Sequence, residues 1–167
     1  IFCLLAEIMN LKKIIIPVSI VSLMALFGLN ITGQLPEITG YESMIEVNKF
    51  SVAFSSLFIL LTALLILMSA PSYAKSSKLS DFISIKVFML SGAVAMVSFS
   101  NMAMFFLGIE VLSIGLYVLA GSDRLNIKSN EAGMKYFLMG SSASGILLFG
   151  ITMLYGATGT FDVGTLY

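Results

Sequence analysis

The chain has 167 residues, of which 58% are hydrophobic and only 11% are charged, and its mean hydropathy is +1.02. A soluble domain carries about 25% charged residues, so this composition is typical of an integral membrane protein. Nine basic and nine acidic residues give a formal net charge of zero, which leaves no electrostatic basis for binding nucleic acid.

The residues that hold metals and redox groups are nearly absent. The sequence contains no His, and Cys3 is its one cysteine. No disulfide can form within the chain, and no Cys/His metal or iron–sulfur site can be built from it alone. No glycine-rich nucleotide fingerprint is present either. We therefore expect no cofactor in this chain, and expect its chemistry to be transport or the binding of something mobile.

Long apolar segments separated by polar loops predict an all-α, polytopic transmembrane helix bundle of about six spans. Residues 1–9 are a partial first span, and the start inside an apolar stretch predicts a fragment of a longer protein. Lys12 and Lys13 then precede a second span, residues 14–29. A signal peptide is the alternative, but apolar residues precede the lysines and no small-residue cleavage site follows.

We treat residues 1–167 as a single membrane domain, with the partial first span, the second span and an outer loop in residues 1–49. Residues 50–167 hold spans three to six, at residues 50–68, 82–99, 101–120 and 131–157. Pro71 is expected to break the third span, and Lys86 to extend its ammonium outward from the fourth. The third span also carries small polar residues that can pack or hydrogen-bond between helices. They are Ser51, Ser55, Ser56 and Thr62.

Basic residues occur in alternate loops, which predicts the orientation. Lys12 and Lys13, Lys75 and Lys78, and Arg124 and Lys128 occupy loops that must share one side of the membrane. The positive-inside rule places that side in the cytoplasm or its equivalent. We expect a multi-pass protein of the cell inner (cytoplasmic) membrane.

Two ionisable residues on consecutive spans are the candidate site. Glu110 is at the centre of the fifth span, and Lys135 is near the start of the sixth. A carboxylate in mid-span costs about 2.5–3.5 kcal/mol on insertion scales, so it usually faces protein or water and is a functional candidate. We expect Cα depths within about 10 Å of one another, close enough for a direct or water-mediated contact. Coupled protonation of such a pair suits a proton carrier, whereas a purely structural pair would have the same composition.

The sixth span also has a face of small residues, SSASG at residues 141–145. We expect Ser141 or Gly145 to pack directly against a neighbouring helix.

Two segments carry a family resemblance. FFLGIEVLSIGLYVLAG at residues 105–121 and EAGMKYFLMGSSASGILLFGITMLYGATGT at residues 131–160 resemble chain N of the proton-translocating NADH–quinone oxidoreductases, respiratory complex I. The resemblance covers about residues 101–162 and is looser over residues 50–100. It implies part of an antiporter-like fold with two inverted five-helix repeats. Glu110 would be the glutamate of the first half-channel and Lys135 the lysine on the adjacent helix, both acting in proton translocation.

The resemblance also implies where the redox chemistry lies. NADH, FMN, iron–sulfur clusters and quinone would be bound by partner subunits, and this chain would contact other membrane subunits and the lipid bilayer. The expected function is coupling of quinone reduction to proton transport as a subunit of that enzyme. The alternatives are a subunit of a cation/proton antiporter or membrane-bound hydrogenase, and a non-conducting membrane scaffold.

Overall fold

The computed structural model describes residues 12–33, 43–73 and 79–165. These residues form five α-helices and one short 3₁₀ helix, with no β-strand among them. The helices are α1 (Lys12–Thr32), α2 (Lys49–Tyr73), α3 (Leu79–Val97), α4 (Met102–Ala120) and α5 (Ile127–Thr158). Helices α1 to α5 correspond to the second to sixth predicted spans. The predicted first span, with Cys3, and the loop lysines Lys75 and Lys78 lie outside the described residues.

All five helices are long and apolar enough to cross a membrane. Many of their large apolar side chains are exposed on the outer surface of the bundle, as expected for helices that face lipid. The prediction of an all-α, multi-pass membrane protein is therefore confirmed, with five of about six predicted spans in the described residues.

Asparagine caps fix where α4 and α5 begin. The Asn101 side chain accepts a hydrogen bond from the Ala103 amide at 2.9 Å, and Asn126 accepts one from Lys128 at 3.0 Å. Each cap satisfies an amide that the first helical turn leaves without a partner. The Asn126 cap starts α5 at Ile127, one turn earlier than predicted. Helix α5 ends at Gly159, whose positive φ of 73° suits a left-handed helix terminus.

Pro71 does not end the third predicted span, which is a correction to the sequence prediction. Helix α2 continues through it to Tyr73. A proline removes the hydrogen bond to the residue four positions earlier and leaves the following residues free to stay helical. The helix therefore loses one bond near its end and extends half a turn further.

The apolar core lies between α1, α2 and α3. Ile15 and Leu23 of α1, Ile59 and Ile66 of α2 and Ile83 of α3 belong to one buried cluster. The small polar residues predicted to pack between helices are all buried here, and one of them forms an interhelical bond. The amide Nδ2 of Asn30 donates to the hydroxyl of Ser56 at 2.9 Å and to the carbonyl of Val52 at 3.1 Å. Helices α1 and α2 are thus joined by a polar contact as well as by apolar packing.

Helix α4 packs on α3 through glycines. A Cβ added at Gly108 would lie 2.7 Å from the Met96 amide nitrogen, and one added at Gly92 would lie 2.8 Å from the Gly108 carbonyl oxygen. The two backbones are therefore close enough to exclude any side chain at these positions. This contact fixes one face of α4 against α3 and leaves the opposite face for α5.

Three loops meet at one end of the bundle and form a loop cap, residues 44–46, 98–101 and 161–163. Isolated antiparallel bridges join Ile45 to Phe99 and Asn101 to Asp162. The backbone bonds in this cap are 2.8–3.0 Å long. The cap gathers the starts of α2 and α4 and the ends of α3 and α5, so the loop with Arg124 lies at the opposite end, called the basic end below. Helix α1 begins at the basic end. Asn30, near its C-terminus, contacts the first turns of α2, and these turns lie beside the loop cap.

Candidate proton site between α4 and α5

Glu110 lies in the middle of α4 with a partly buried side chain. Its Oε1 atom is buried and has no hydrogen-bond partner among the described residues. Buried polar atoms are nearly always hydrogen-bonded, because leaving one without a partner costs free energy. Among the described residues, Glu110 Oε1 is the only buried side-chain oxygen or nitrogen atom without a hydrogen-bond partner.

The face of α4 that carries Glu110 is directed towards α5. Tyr117 and Gly121 follow Glu110 by seven and eleven residues and so share its face of the helix. Gly121 touches α5, since a Cβ added at Gly133 would lie 2.8 Å from the Gly121 Cα. Gly108 and Gly115 lie on the other face, against α3. Glu110 is therefore positioned at the seam between α4 and α5.

Lys135 forms an ion pair on its own helix. Its Nζ lies 2.5 Å from Oε1 of Glu131, four residues earlier on α5, and both side chains are more than half exposed. The structure thus places Lys135 with Glu131, and no ion pair joins it to Glu110 in the described residues.

The two predicted site residues also differ in depth by more than expected. The contact between Gly121 and Gly133 sets the register of the two helices. Glu110 lies eleven residues from Gly121, about 16 Å of helical rise, whereas Lys135 lies two residues from Gly133, about 3 Å. Their separation along the helices is therefore about 13 Å, and the expected difference of under 10 Å was wrong. The sequence estimate took Glu131 as level with the end of the fifth span, whereas Gly133 is level with Gly121, so Lys135 is only two residues beyond that level.

A tyrosine that the sequence reasoning did not select lies between the two charges. The Tyr117 hydroxyl occupies the space that a side chain at Gly140 would fill. Its ring packs edge-on against Tyr136 and Phe137, with centroids 5.1 and 5.8 Å away. Gly140 is seven residues beyond Gly133, which puts the hydroxyl at a depth of about 10 Å, between Lys135 and Glu110. The signal in the sequence was a tyrosine two turns from Glu110 in an otherwise apolar span.

An open cavity of about 870 Å³ lies between α3, α4 and α5 at the basic end. Asp81, Ser122, Arg124 and Asn130 line its polar part, near the loops. Tyr117 is part of its lining further along α4. The cavity therefore brings polar groups of the basic end to the same tyrosine that contacts Gly140.

Comparison with known proteins shows what this chain is similar to. Residues 99–167 match the family described as NADH:quinone oxidoreductase/Mrp antiporter, transmembrane. The NADH-quinone oxidoreductase subunit N proteins of Flavobacterium psychrophilum and Flavobacterium johnsoniae are each 62% identical to this chain, over 98% and 100% of its length. The subunit N of Cytophaga hutchinsonii is 40% identical over 99% of it. The chain belongs to the NADH-quinone oxidoreductase subunit N family.

The chain spans about a third of the length of these subunit N relatives, 36% in each of the three. The family match includes residues 99–101 and 161–163 of the loop cap, all of α4 and α5, and the two predicted site residues. The resemblance inferred from residues 105–121 and 131–160 is thereby confirmed.

Lys86 contacts a neighbouring helix, which corrects the expectation that its ammonium extends outward. Its Nζ lies 2.5 Å from the Ser69 hydroxyl and 3.5 Å from the Leu65 carbonyl oxygen, both on α2. Lys86 is two turns inside α3, so a hydroxyl on the adjacent helix is nearer than the end of the bundle. It thus contributes to the α2–α3 contact.

The small-residue face of α5 is not packed within the described bundle. A Cβ at Gly145 would meet nothing within 4 Å, and the exposed Ser141 hydroxyl donates to Leu138 of its own helix. The expectation that Ser141 or Gly145 contacts a neighbouring helix was therefore wrong for these residues. The glycines of α5 that do contact α4 are Gly133 and Gly140, because they lie on the face that shares the register of Gly121 and Tyr117.

Proposed function

We propose that this chain acts in the proton-translocating membrane subunit of an NADH–quinone oxidoreductase, and that Glu110 takes up and releases a proton during turnover. The observation that carries the proposal is the buried Glu110 Oε1 without a hydrogen-bond partner, in the middle of an apolar helix. A carboxyl group accepts hydrogen bonds when ionised and donates one when protonated, so it can carry a proton. The names of the subunit N relatives supply the enzyme class.

Lys135 has a separate role in this proposal. It is paired with Glu131 at the basic end of α5, about 13 Å in depth from Glu110. At that distance it acts on Glu110 through its field and through intervening polar groups. The Lys135–Glu131 pair places a cation and a carboxylate near the basic end of α5.

The partners and location follow from the same proposal. The exposed apolar faces are in contact with lipid and with other membrane subunits. Partner subunits bind NADH, FMN, iron–sulfur clusters and quinone. The basic end faces the cytoplasm and the loop cap faces outward across the cell inner membrane. Two observations support this orientation: basic residues occur in alternate loops, and α1, α3 and α5 all begin at the same end of the bundle.

A cation/proton antiporter subunit is the second candidate, and the family description supports it because it includes the Mrp antiporters. The relatives named subunit N favour the oxidoreductase. Quinone-dependent proton pumping that persists without sodium would separate the two, since an antiporter needs a second cation to exchange.

The central test is Glu110→Gln in the full-length subunit within the intact complex. Glutamine keeps the size of the side chain and cannot ionise. We expect the complex to assemble, as judged by native gels, and to pump fewer protons per electron in membrane vesicles. Glu110→Asp should retain more pumping, because it keeps the carboxyl group and only shortens its reach.

The ion pair at the basic end gives a second comparison within the same assay. Lys135→Ala should reduce pumping less than Glu110→Gln, because it removes a charge that acts at a distance. Full pumping by an assembled Glu110→Gln complex would remove the carboxyl group from the proton path and leave the scaffold function.

A further inference from the structure

We propose that the Tyr117 hydroxyl relays protons between water in the cavity of the basic end and Glu110. The proposal rests on the proposed function of Glu110 and adds a residue to that site. Tyr117 lines the cavity and shares the face of α4 that carries Glu110. Its hydroxyl lies over Gly140 at the α4–α5 seam.

The Tyr117 ring is held in place by two aromatic side chains of α5. Tyr136 and Phe137 of α5 contact it edge-on at interplanar angles of 88° and 83°. Gly140 leaves the space for the hydroxyl, since any larger side chain would collide with it. The position of the hydroxyl is therefore set by packing with α5.

The hydroxyl itself is free to bind water. It forms no hydrogen bond with the other described residues, and a phenol can both donate and accept one. Glu110 is about 6 Å deeper along the seam, a gap that the side chain and one or two waters span. On the other side, the cavity of about 870 Å³ is large enough for many waters.

Proton transfer through this group conserves charge. A hydronium ion on the cavity side donates a proton to the Tyr117 oxygen and becomes water, as the hydroxyl proton moves to a water on the Glu110 side. That water passes a proton to the Glu110 carboxylate, giving the neutral acid. Rotation of the hydroxyl then restores the starting arrangement.

The first experiment is Tyr117→Phe in the intact complex, with Tyr136→Phe as the matched control. Each change removes one phenol oxygen and keeps the ring, and Tyr136 is the adjacent, more exposed tyrosine. The readout is the infrared carboxylic-acid band that disappears in Glu110→Gln, followed during turnover. We expect Tyr117→Phe to slow the appearance of this band about two- to tenfold, the effect of losing one hydrogen bond. Tyr136→Phe should leave it unchanged.

The second experiment moves the hydroxyl without removing it. Gly140→Ala places a methyl group where the hydroxyl lies, whereas Gly145→Ala makes the same change on the same helix where nothing lies within 4 Å. We expect Gly140→Ala to slow the appearance of the Glu110 carboxylic-acid band. Gly145→Ala should leave the rate of its appearance unchanged.

The outcomes separate this inference from the proposed function. The proposed function would be overturned if the unmodified complex showed no carboxylic-acid band that Glu110→Gln removes and if the Glu110→Gln complex pumped fully. A band that responds to Glu110→Gln but keeps its rate in assembled Tyr117→Phe would overturn the role of Tyr117 alone. Loss of assembly in Tyr117→Phe with a normal rate in Gly140→Ala would show that the tyrosine only packs the seam.

Discussion

At the scale of single residues, the contact between Asn30 and Ser56 gives a measurable coupling. The amide of Asn30 donates to the Ser56 hydroxyl at 2.9 Å across the α1–α2 contact. We expect a double-mutant cycle of Asn30→Ala and Ser56→Ala to give a coupling of about 0.6 kcal/mol, the mean found for such bonds in a membrane protein. The measurement is the free energy of unfolding in detergent. Pairing Asn30→Ala with Thr32→Val is the control, because the Thr32 hydroxyl bonds only within its own helix, and equal couplings in both cycles would contradict the contact.

The sequence identified Glu110 because one charge in a long apolar run is visible without any structure. It did not give the partner of Lys135, since that depends on which carboxylate is nearest in the folded chain. Glu131 lies four residues before Lys135, a spacing that brings two side chains together on any helix. That signal was present and was outweighed by the expectation of a pair across two helices. Tyr117 was missed for a different reason, because its importance comes from the space left by Gly140 on another helix.

At the scale of helices, close packing of α3 and α4 depends on glycine at the contact. We expect Gly108→Ala to destabilise the subunit by about 1–3 kcal/mol, because the new methyl group would lie 2.7–2.9 Å from backbone atoms that cannot rotate away. Gly150→Ala is the control, since nothing lies within 4 Å of that position. The measurement is the yield and melting temperature of the assembled complex. Equal stability of the two variants would show that α3 and α4 separate at little cost.

The existence of the helices was predictable from apolar length, but their packed faces were not. Each helix is apolar on nearly all sides, so no stripe of polar residues distinguishes the face towards lipid from the face towards protein. Small residues were therefore the available signal, and α5 has them on several faces. The sequence pointed to Ser141 and Gly145, whereas the contacts are made by Gly133 and Gly140. Only the register set by neighbouring helices decides between them.

At the scale of the whole molecule, the alternation of basic loops predicted which helix ends share a side. The structure agrees for the described residues, because the loop cap and the Arg124 loop lie at opposite ends of the bundle. The cap itself was not predictable, since its backbone bonds join loops more than fifty residues apart in the sequence. Such pairing depends on how the helices are arranged, which composition does not record.

The orientation of the two ends in the membrane leads to the last prediction. Leu125 at the basic end is 97% exposed and Val47 beside the loop cap is 76% exposed, so a cysteine at either position is accessible to reagent. With Cys3 replaced by serine, Val47→Cys should react with a membrane-impermeant thiol reagent added to intact cells. Leu125→Cys should react only after the membrane is opened, because the positive-inside rule places the basic end in the cytoplasm. Labelling both variants in inverted vesicles is the control, and it should reverse the pattern. Reaction of Leu125→Cys in intact cells would show that the orientation is the opposite one. The cavity beside Tyr117 would then deliver protons in the opposite direction.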